Sequence, residues 1–308
     1  MDKEDIFDGV QMGIGTWAWG DRLVWGYGNG YAEEEIRQAF KECVAEGIRF
    51  FDTAEVYGQG KSETMLGELC SQEGGGFIIA TKMMPFPWRI WKGSLKYALK
   101  NSLRRLQLEK VHLYQMHFPL PPVKVETWMN RMADIVEEGL IGGIGVSNYT
   151  LEQTKASNET LKKRGLKLAS NQVEYHLLER RIESNGLMEY CNAEGIKLIA
   201  YSPMAMGILT GKYTPENPPK GTRAAQYNRE YLTKIQPLLK LMIRIGNDNE
   251  GKSASQVALN WCIQKGTIPI PGVKNAKQAA QNLGALGWEL NPDDVALLDE
   301  LSLAVIKP

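Results

Sequence analysis

Asp52, Tyr57, Lys82 and His117 are residue types that could together place a proton on a carbonyl oxygen. A phenol with an ordinary pKa near 10 gives up its proton reluctantly at neutral pH. A neighbouring ammonium favours the phenolate and lowers that pKa, and each unit corresponds to about 1.4 kcal/mol. Lys82 can do this for Tyr57 only while it stays charged after partial burial, and a carboxylate at Asp52 would keep it so. His117 would then orient or polarise the oxygen beside the tyrosine. Singly, each has a plain structural explanation: a capped turn for Asp52, a salt bridge for Lys82, a satisfied core histidine for His117. What distinguishes them is where the chain places all four.

Short apolar runs rich in β-branched residues occupy 12–16, 49–53, 77–82, 111–117, 142–147, 169–174, 197–201 and 267–269. Longer segments with helical spacing separate them, the cadence of βα units. Asp52, Lys82 and His117 each stand at the end of such a run, with Tyr57 shortly after the second. The helices carry matching start and stop chemistry. Thr150 with Gln153, Ser253 with Gln256 and Asn275 with Gln278 have the spacing of an N-cap and its reciprocal partner. Ala45-Glu46-Gly47-Ile48 and Ala193-Glu194-Gly195-Ile196 repeat one device, a left-handed glycine that ends a helix before a β-branched residue opens a strand. Asn291-Pro292 starts a terminal helix expected to run through Leu301.

Eight alternating units without a linker predict an α/β fold, a (β/α)8 TIM-type barrel with parallel strands, as one domain over 1–308. The connection after the seventh strand is long and holds Gly207, Gly211, Pro215, Pro218, Pro219 and Gly221. Such a loop suits a lid or clamp, with one helical segment expected near 231–245. An open doubly wound sheet is the alternative, and Gly13-Ile14-Gly15-Thr16-Trp17-Ala18 matches its dinucleotide fingerprint. That motif requires a helix directly after the glycines, whereas here the chain continues into the glycine-rich loop 21–30.

Composition narrows the partners. Lys and Arg total 36 against 36 Asp and Glu, so the net charge is zero and no general attraction to nucleic acid or anionic lipid is expected. The basic clusters at Arg104-Arg105, Lys162-Lys163-Arg164 and Arg180-Arg181 lie on or beside expected helices and read as solvated faces. Cys43, Cys70, Cys191 and Cys262 are far apart and read as buried or free thiols in a reducing compartment. No signal-like or membrane-length apolar segment is present, so the expectation is cytoplasmic, or an organelle stroma where a transit peptide precedes this sequence. No metal is expected, because the 3 histidines, His112, His117 and His176, form no ligand motif.

A second site follows the eighth run, where Ile270-Pro271-Gly272-Val273-Lys274 leads into a helix at Asn275. Free amides at a helix N-terminus attract anions, and barrels bind phosphate after strands seven and eight. The charge of Lys274 suits an adenosine 2′-phosphate, hence NADPH over NADH. Tyr201 could stack on a nicotinamide ring, while Ser147, Asn148 and Gln172 offer donors and acceptors to its carboxamide.

Along nearly its whole length the chain resembles the aldo-keto reductases. The motifs are Gly15-Thr16-Trp17, Phe51-Asp52-Thr53-Ala54 with Val56-Tyr57-Gly58, Thr81-Lys82, Tyr114-Gln115-Met116-His117, Gly145-Val146-Ser147-Asn148-Tyr149 and Asn171-Gln172-Val173-Glu174-Tyr175. Ala200-Tyr201-Ser202-Pro203, the stretch from Gly207 through Leu209 and Gly211 to Tyr213, and Ile270-Pro271-Gly272 with Asn282 complete the series. The resemblance implies NADPH-dependent reduction of an aldehyde or ketone by hydride transfer. Tyr57 becomes the general acid, Lys82 and Asp52 its tuning pair, and His117 the substrate-orienting residue. Thr16 and Trp17 join the cofactor set, Ser202, Pro203, Gly207, Leu209, Gly211 and Lys212 wrap the pyrophosphate, and Gly272, Lys274, Gln278 and Asn282 hold the adenosine end. Gln281 stands before Asn282 where many members carry glutamate.

Substrate contacts are expected from Trp17, Trp88 and Phe118, with Trp19, Trp25 and Trp91 also on the first and third strand-end loops. The chain stops at Pro308, so a pocket without a long C-terminal cover is expected, in a monomer or weak homo-oligomer. The family also includes channel-associated subunits that hold NADPH with little turnover, which is the alternative function. A Schiff-base lyase using Lys82 is disfavoured, since a nucleophilic lysine must be neutral and Asp52 keeps this one charged.

Overall fold

The computed structural model describes residues 5–306, the side chain of Thr222 excepted; residues 1–4 and 307–308, with Pro308, lie outside the described residues. Eight strands follow the expected positions closely: β1 (Ile14–Gly15), β2 (Phe50–Asp52), β3 (Ile78–Met83) and β4 (Val111–Met116), then β5 (Ile141–Ser147), β6 (Leu168–Glu174), β7 (Lys197–Tyr201) and β8 (Ile268–Pro269). They pair in sequence order, every pair parallel.

The ring closes between β8 and β1. Gly15 bridges Gly272 in parallel, Gly13 N–H donates to Pro269 O at 3.0 Å and Gly15 N–H donates to Pro271 O at 3.1 Å. Pro269 and Pro271 have no N–H, so they present only acceptors to β1, while Ile270 N–H between them donates to Ala200 O of β7 at 3.0 Å. The seam explains the glycines of the nucleotide-like motif. A Cβ on Gly15 would lie 2.9 Å from Ile270 O, and one on Gly13 would lie 2.2 Å from the Phe50 ring. The first helix after them starts only at Glu33. The glycines close a barrel.

Side chains on a strand alternate, so residues two apart share the barrel interior. Phe50, Ala80, Leu113, Ile199 and Ile268 form a dry interior layer, plugged at the amino end by Phe7 against Phe50 with ring centroids 5.7 Å apart. Two residues further along the same strands come Asp52, Lys82, Gln115 and Tyr201. The register pairs Lys82 with Gln115 and Ser147 with Gln172, which brings the polar set to neighbouring positions at the carboxyl end. The larger hydrophobic core lies between barrel and helices.

The capping boxes at Thr150 and Ser253 form as expected. At Asn275 half of the box forms. Its Oδ1 accepts from Gln278 N–H at 3.0 Å, but Gln278 Oε1 accepts from Lys274 N–H at 2.9 Å rather than from the cap residue. Gly47 and Gly195 take positive φ of 86° and 66° after their helices. The single helix near 231–245 is two, Arg229–Lys234 and Gln236–Asp248, with Pro237 at the start of the second. The terminal helix runs Pro292–Ile306, beyond Leu301.

Two basic clusters are not solvated faces. Arg180 is buried, pairs with Glu183 at 2.6 Å and Asp299 at 3.0 Å, and lies over Trp261, tying the loop after β6 to the terminal helix. Arg105 pairs with the fully buried Glu63 at 2.6 Å. A carboxylate already inside the protein needs a cation, and these arginines are placed to supply one. All four cysteines are buried and free. No helix among the described residues is long and apolar enough to cross a membrane.

Candidate active site

A cavity of about 750 Å³ opens at the carboxyl end of the barrel. Lys82, fully buried beneath it, makes three contacts through its Nζ: an ion pair with Asp52, a hydrogen bond to Thr53 O at 2.9 Å and one to the Tyr57 hydroxyl at 3.3 Å. Burial works to lower the Lys82 pKa, but Asp52 and Tyr57 together raise it above its ordinary value, so the ammonium persists. The other oxygen of Asp52 accepts from Gln172 Nε2 at 2.8 Å and Gln115 Nε2 at 3.0 Å. Two neutral amides and one ammonium therefore satisfy a buried carboxylate.

Tyr57 departs from the electrostatic expectation in sign. Burial raises its pKa and Asp52 raises it further, and together they outweigh the lowering by Lys82. Tyr57 is thus a neutral phenol at ordinary pH, the form that can donate. Its backbone explains how it reaches the cavity: a tight turn, Tyr57–Gly60, has Gly58 and Gln59 at φ of 55° and 58°. A Cβ on Gly58 would lie 2.8 Å from Gly20 C, so only glycine lets these two loops meet.

The His117 ring crosses that of Tyr57 at 81° with centroids 5.7 Å apart. Burial, then the charge of Lys82, pushes its pKa down to about 3, leaving a neutral imidazole. Its Nδ1 is buried without a hydrogen-bond partner among the described residues. Trp17 stacks on Tyr57 at 6.0 Å and 25°, and Phe118 stacks on His117 at 5.2 Å and 16°. With Val56 and Met84 these residues line the catalytic end of the cavity.

Asn148 and Ser202, at the ends of β5 and β7, have positive φ of 61° and 51°. Such strain in non-glycine residues persists only where neighbours over-determine it. Asn148 Nδ2 donates to His117 O at 3.3 Å and Ser147 Oγ at 3.1 Å, and its Oδ1 accepts from the Tyr201 hydroxyl at 2.9 Å. Asn148 therefore fixes Tyr201, and Gln172 fixes Asp52, in addition to facing the cavity.

The far end of the cavity is cationic. Lys212, Arg223 and Lys274 line it, and none forms an ion pair among the described residues. Lys274 Nζ donates to Trp25 O at 3.0 Å and lies 4.8 Å from the Trp25 ring, with Arg223 6.0 Å from the same ring. Burial, then Arg223 and Lys212, lowers the Lys274 pKa. Three crowded cations, offset only in part by the Asp21 carboxylate near Lys274, favour an anionic guest.

Ser147, Pro203, Gly207, Gly272, Gln278 and Asn282 line the cavity, together with Trp17, Asn148, Gln172, Tyr201, Ser202, Lys212 and Lys274. Several expected contacts do not. Thr16 is fully buried, its hydroxyl bonded to Asp52 O at 3.0 Å and Ser62 Oγ at 2.7 Å. Leu209 is a core side chain, and Gly211 ends a turn at φ 77° outside the lining. Trp88 is 69% exposed and stacks on Phe86 at 4.7 Å, away from the cavity. Trp19 is core, its Nε1 donating to Val273 O at 3.0 Å. Arg223 and Ser255 line the cavity without having been singled out for it, and Gln281 lines it beside Asn282. Gln115 gave a signal, since it lies two residues before His117 and so shares its strand face. Arg223 gave none, being one cation in a breaker-rich loop.

The site is a buried polar layer beneath a cavity at the carboxyl end of a parallel (β/α)8 barrel. The family model described as Aldo/keto reductase family matches residues 11–303, and the chain belongs to that family. Pyridoxal reductase, chloroplastic, of Arabidopsis thaliana is 38% identical, covering 94% of this chain and 82% of the relative. Aldo-keto reductase YhdN of Bacillus subtilis is 30% identical, covering 92% and 87%. The crystal structure of an aldo-keto reductase from Klebsiella pneumoniae in complex with NADPH superposes with a TM-score of 0.75 at 26% identity, covering 95% of this chain and 90% of that one.

Proposed function

We propose that the protein reduces aldehydes or ketones to alcohols with NADPH, Tyr57 supplying the proton. The observation that carries this reading is the Lys82 ammonium held between Asp52 and the Tyr57 hydroxyl under an open cavity. When bound, NADPH supplies the hydride that reduces the carbonyl carbon. The protein's part is placement and the proton. Tyr57 gives its O–H proton to the carbonyl oxygen, and the phenolate left behind is stabilised by Lys82 at 3.3 Å. Neutral His117 orients the same oxygen. Lys212, Arg223 and Lys274 fit the phosphates of the cofactor, and Tyr201, locked by Asn148, offers a flat face to its nicotinamide.

The aromatic walls at Trp17 and Phe118 suit a planar substrate, and the pyridoxal reductase relative makes a heteroaromatic aldehyde the first to test. Cytosol or organelle stroma fits the buried free thiols, the Arabidopsis relative being chloroplastic.

The test is decay of NADPH absorbance with a panel of aldehydes, for wild type and Tyr57→Phe. The variant should lose about 10²- to 10⁴-fold in kcat while its NADPH dissociation constant stays within twofold. Near-normal turnover by Tyr57→Phe removes the proton-donor assignment. Tight NADPH binding without turnover of any panel member by the wild type supports the regulatory-subunit reading instead.

A further inference from the structure

Asp21 lies outside the cavity lining, yet its side chain holds two residues that form it, Trp17 and Trp25. One carboxylate oxygen, Oδ1, accepts from the backbone N–H of Val24 at 2.8 Å and of Trp25 at 3.3 Å. The other, Oδ2, accepts from the Trp17 indole Nε1 at 3.1 Å. A short acidic side chain that bonds amides a few residues on is a common way to close a turn. That turn takes only one of the two oxygens, and the second reaches the indole.

Trp17 is 37% exposed, so packing covers only part of its indole. The ring lies along Tyr57 with centroids 6.0 Å apart and planes at 25°, and its edge meets Trp25 at 5.6 Å. Trp25 is fixed in turn, its carbonyl accepting from Lys274 Nζ at 3.0 Å. The chain just before Asp21 is anchored too: Gly20 meets Gly58, the residue after Tyr57, so closely that only glycine fits there. Asp21 thus sets the rotation of Trp17 through its indole nitrogen and the place of Trp25 through its amide. An indole ordered beforehand does not have to be ordered when a ligand arrives.

Resting on the carbonyl-reductase reading, we propose that Asp21 is a positioning residue for substrate, holding the Trp17 indole nearly parallel to the Tyr57 ring as a preset wall for planar carbonyl compounds. Asp21 touches neither substrate nor cofactor and acts through Trp17. Its effect falls on substrate binding, because the proton of Tyr57 is governed by Lys82 at 3.3 Å. The effect also depends on substrate shape, since a small aliphatic aldehyde has no ring for the indole to meet.

Asp21→Asn tests this, because its single oxygen can keep the turn, held there by two backbone amides, while the NH2 group in place of Oδ2 cannot accept from the indole. Rates of NADPH oxidation at saturating NADPH are compared for pyridine-3-carbaldehyde, a planar ring aldehyde, and propanal, which has no ring. The variant should raise the KM for pyridine-3-carbaldehyde about three- to tenfold, while kcat and the KM for propanal stay within about twofold. Trp17→Phe removes the indole N–H, and adding Asp21→Asn to it should change that KM by less than about twofold further. A wild-type KM in Asp21→Asn, an equal rise for both aldehydes, or a full second loss in the Trp17→Phe background overturns the positioning role and leaves carbonyl reduction standing. No NADPH oxidation by the wild type with either aldehyde, or with any of the panel, overturns the carbonyl-reductase reading and the positioning role with it.

Discussion

Gln115 donates its side-chain amide to the Asp52 carboxylate at 3.0 Å, on the oxygen that Lys82 does not take. Both side chains are buried, so the contact is part of how the carboxylate is satisfied inside the barrel. Gln115→Leu keeps the volume roughly and removes the donor. A hydrogen bond to a charged group is worth about 1.5–3 kcal/mol, and that is the expected loss in urea denaturation. Asp52 would then rest on Lys82 and Gln172 alone, and a reoriented carboxylate displaces the ammonium from Tyr57. Reductive kcat should fall with little change in NADPH affinity. A variant as stable and as active as wild type would show that Gln172 suffices.

The ion pair itself makes a sharper prediction. Removing one partner of a buried pair leaves an uncompensated charge and costs about 3–5 kcal/mol. Lys82→Met should therefore destabilise the fold strongly. The double variant Lys82→Met with Asp52→Asn should be more stable than Lys82→Met, since no lone charge remains. If the double variant unfolds at the lower denaturant concentration, the lone Asp52 carboxylate is satisfied by Gln115 and Gln172, and an uncompensated charge is not what destabilises Lys82→Met.

Much of this layer was legible from sequence because parallel barrels obey a simple alternation. Phe50 to Asp52, Ala80 to Lys82 and Leu113 to Gln115 each step two residues from a dry layer to a polar one, and that step can be counted along the strands. Tertiary pairing cannot be counted in this way. The burial of Arg180 depends on Asp299 arriving from the terminal helix, more than a hundred residues away in sequence. The net direction of the Tyr57 pKa depends on how deeply the ring is buried against how near Lys82 stands, which only geometry decides. Trp88 and Trp17 look alike in sequence, and the difference between them lies in whether the loop turns toward the cavity or away.

His117 carries a pH signature. Its folded pKa of about 3 lies below the unfolded value near 6.5, so the unfolded chain takes up a proton that the folded one refuses. Stability from this group is fully present above the unfolded value and is lost as pH falls toward the folded one, by up to about 1.4 kcal/mol per pH unit. His117→Gln should flatten the stability profile between those two values relative to wild type. Parallel profiles for the two proteins would place the acid sensitivity in other groups.

Lys274 and Arg223 bear on the choice of cofactor. Both line the far end of the cavity, both pack on the Trp25 ring, and neither has an ion-pair partner among the described residues. Arg223 also donates to Met206 O at 3.1 Å, which holds the loop after β7 in its turn. A 2′-phosphate placed between them would restore charge balance to a Lys274 ammonium that burial and its neighbours work to deprotonate. Lys274→Ala should weaken NADPH by about 10- to 100-fold, as expected for loss of a charge-assisted contact, and NADH much less. Arg223→Ala should move the same ratio in the same direction, with an added loss common to both cofactors from the loosened loop. Calorimetric titration of each variant with both dinucleotides separates the two effects. Equal losses for NADPH and NADH in Lys274→Ala would assign the lysine to holding Trp25, through its 3.0 Å bond to the Trp25 carbonyl, rather than to the phosphate.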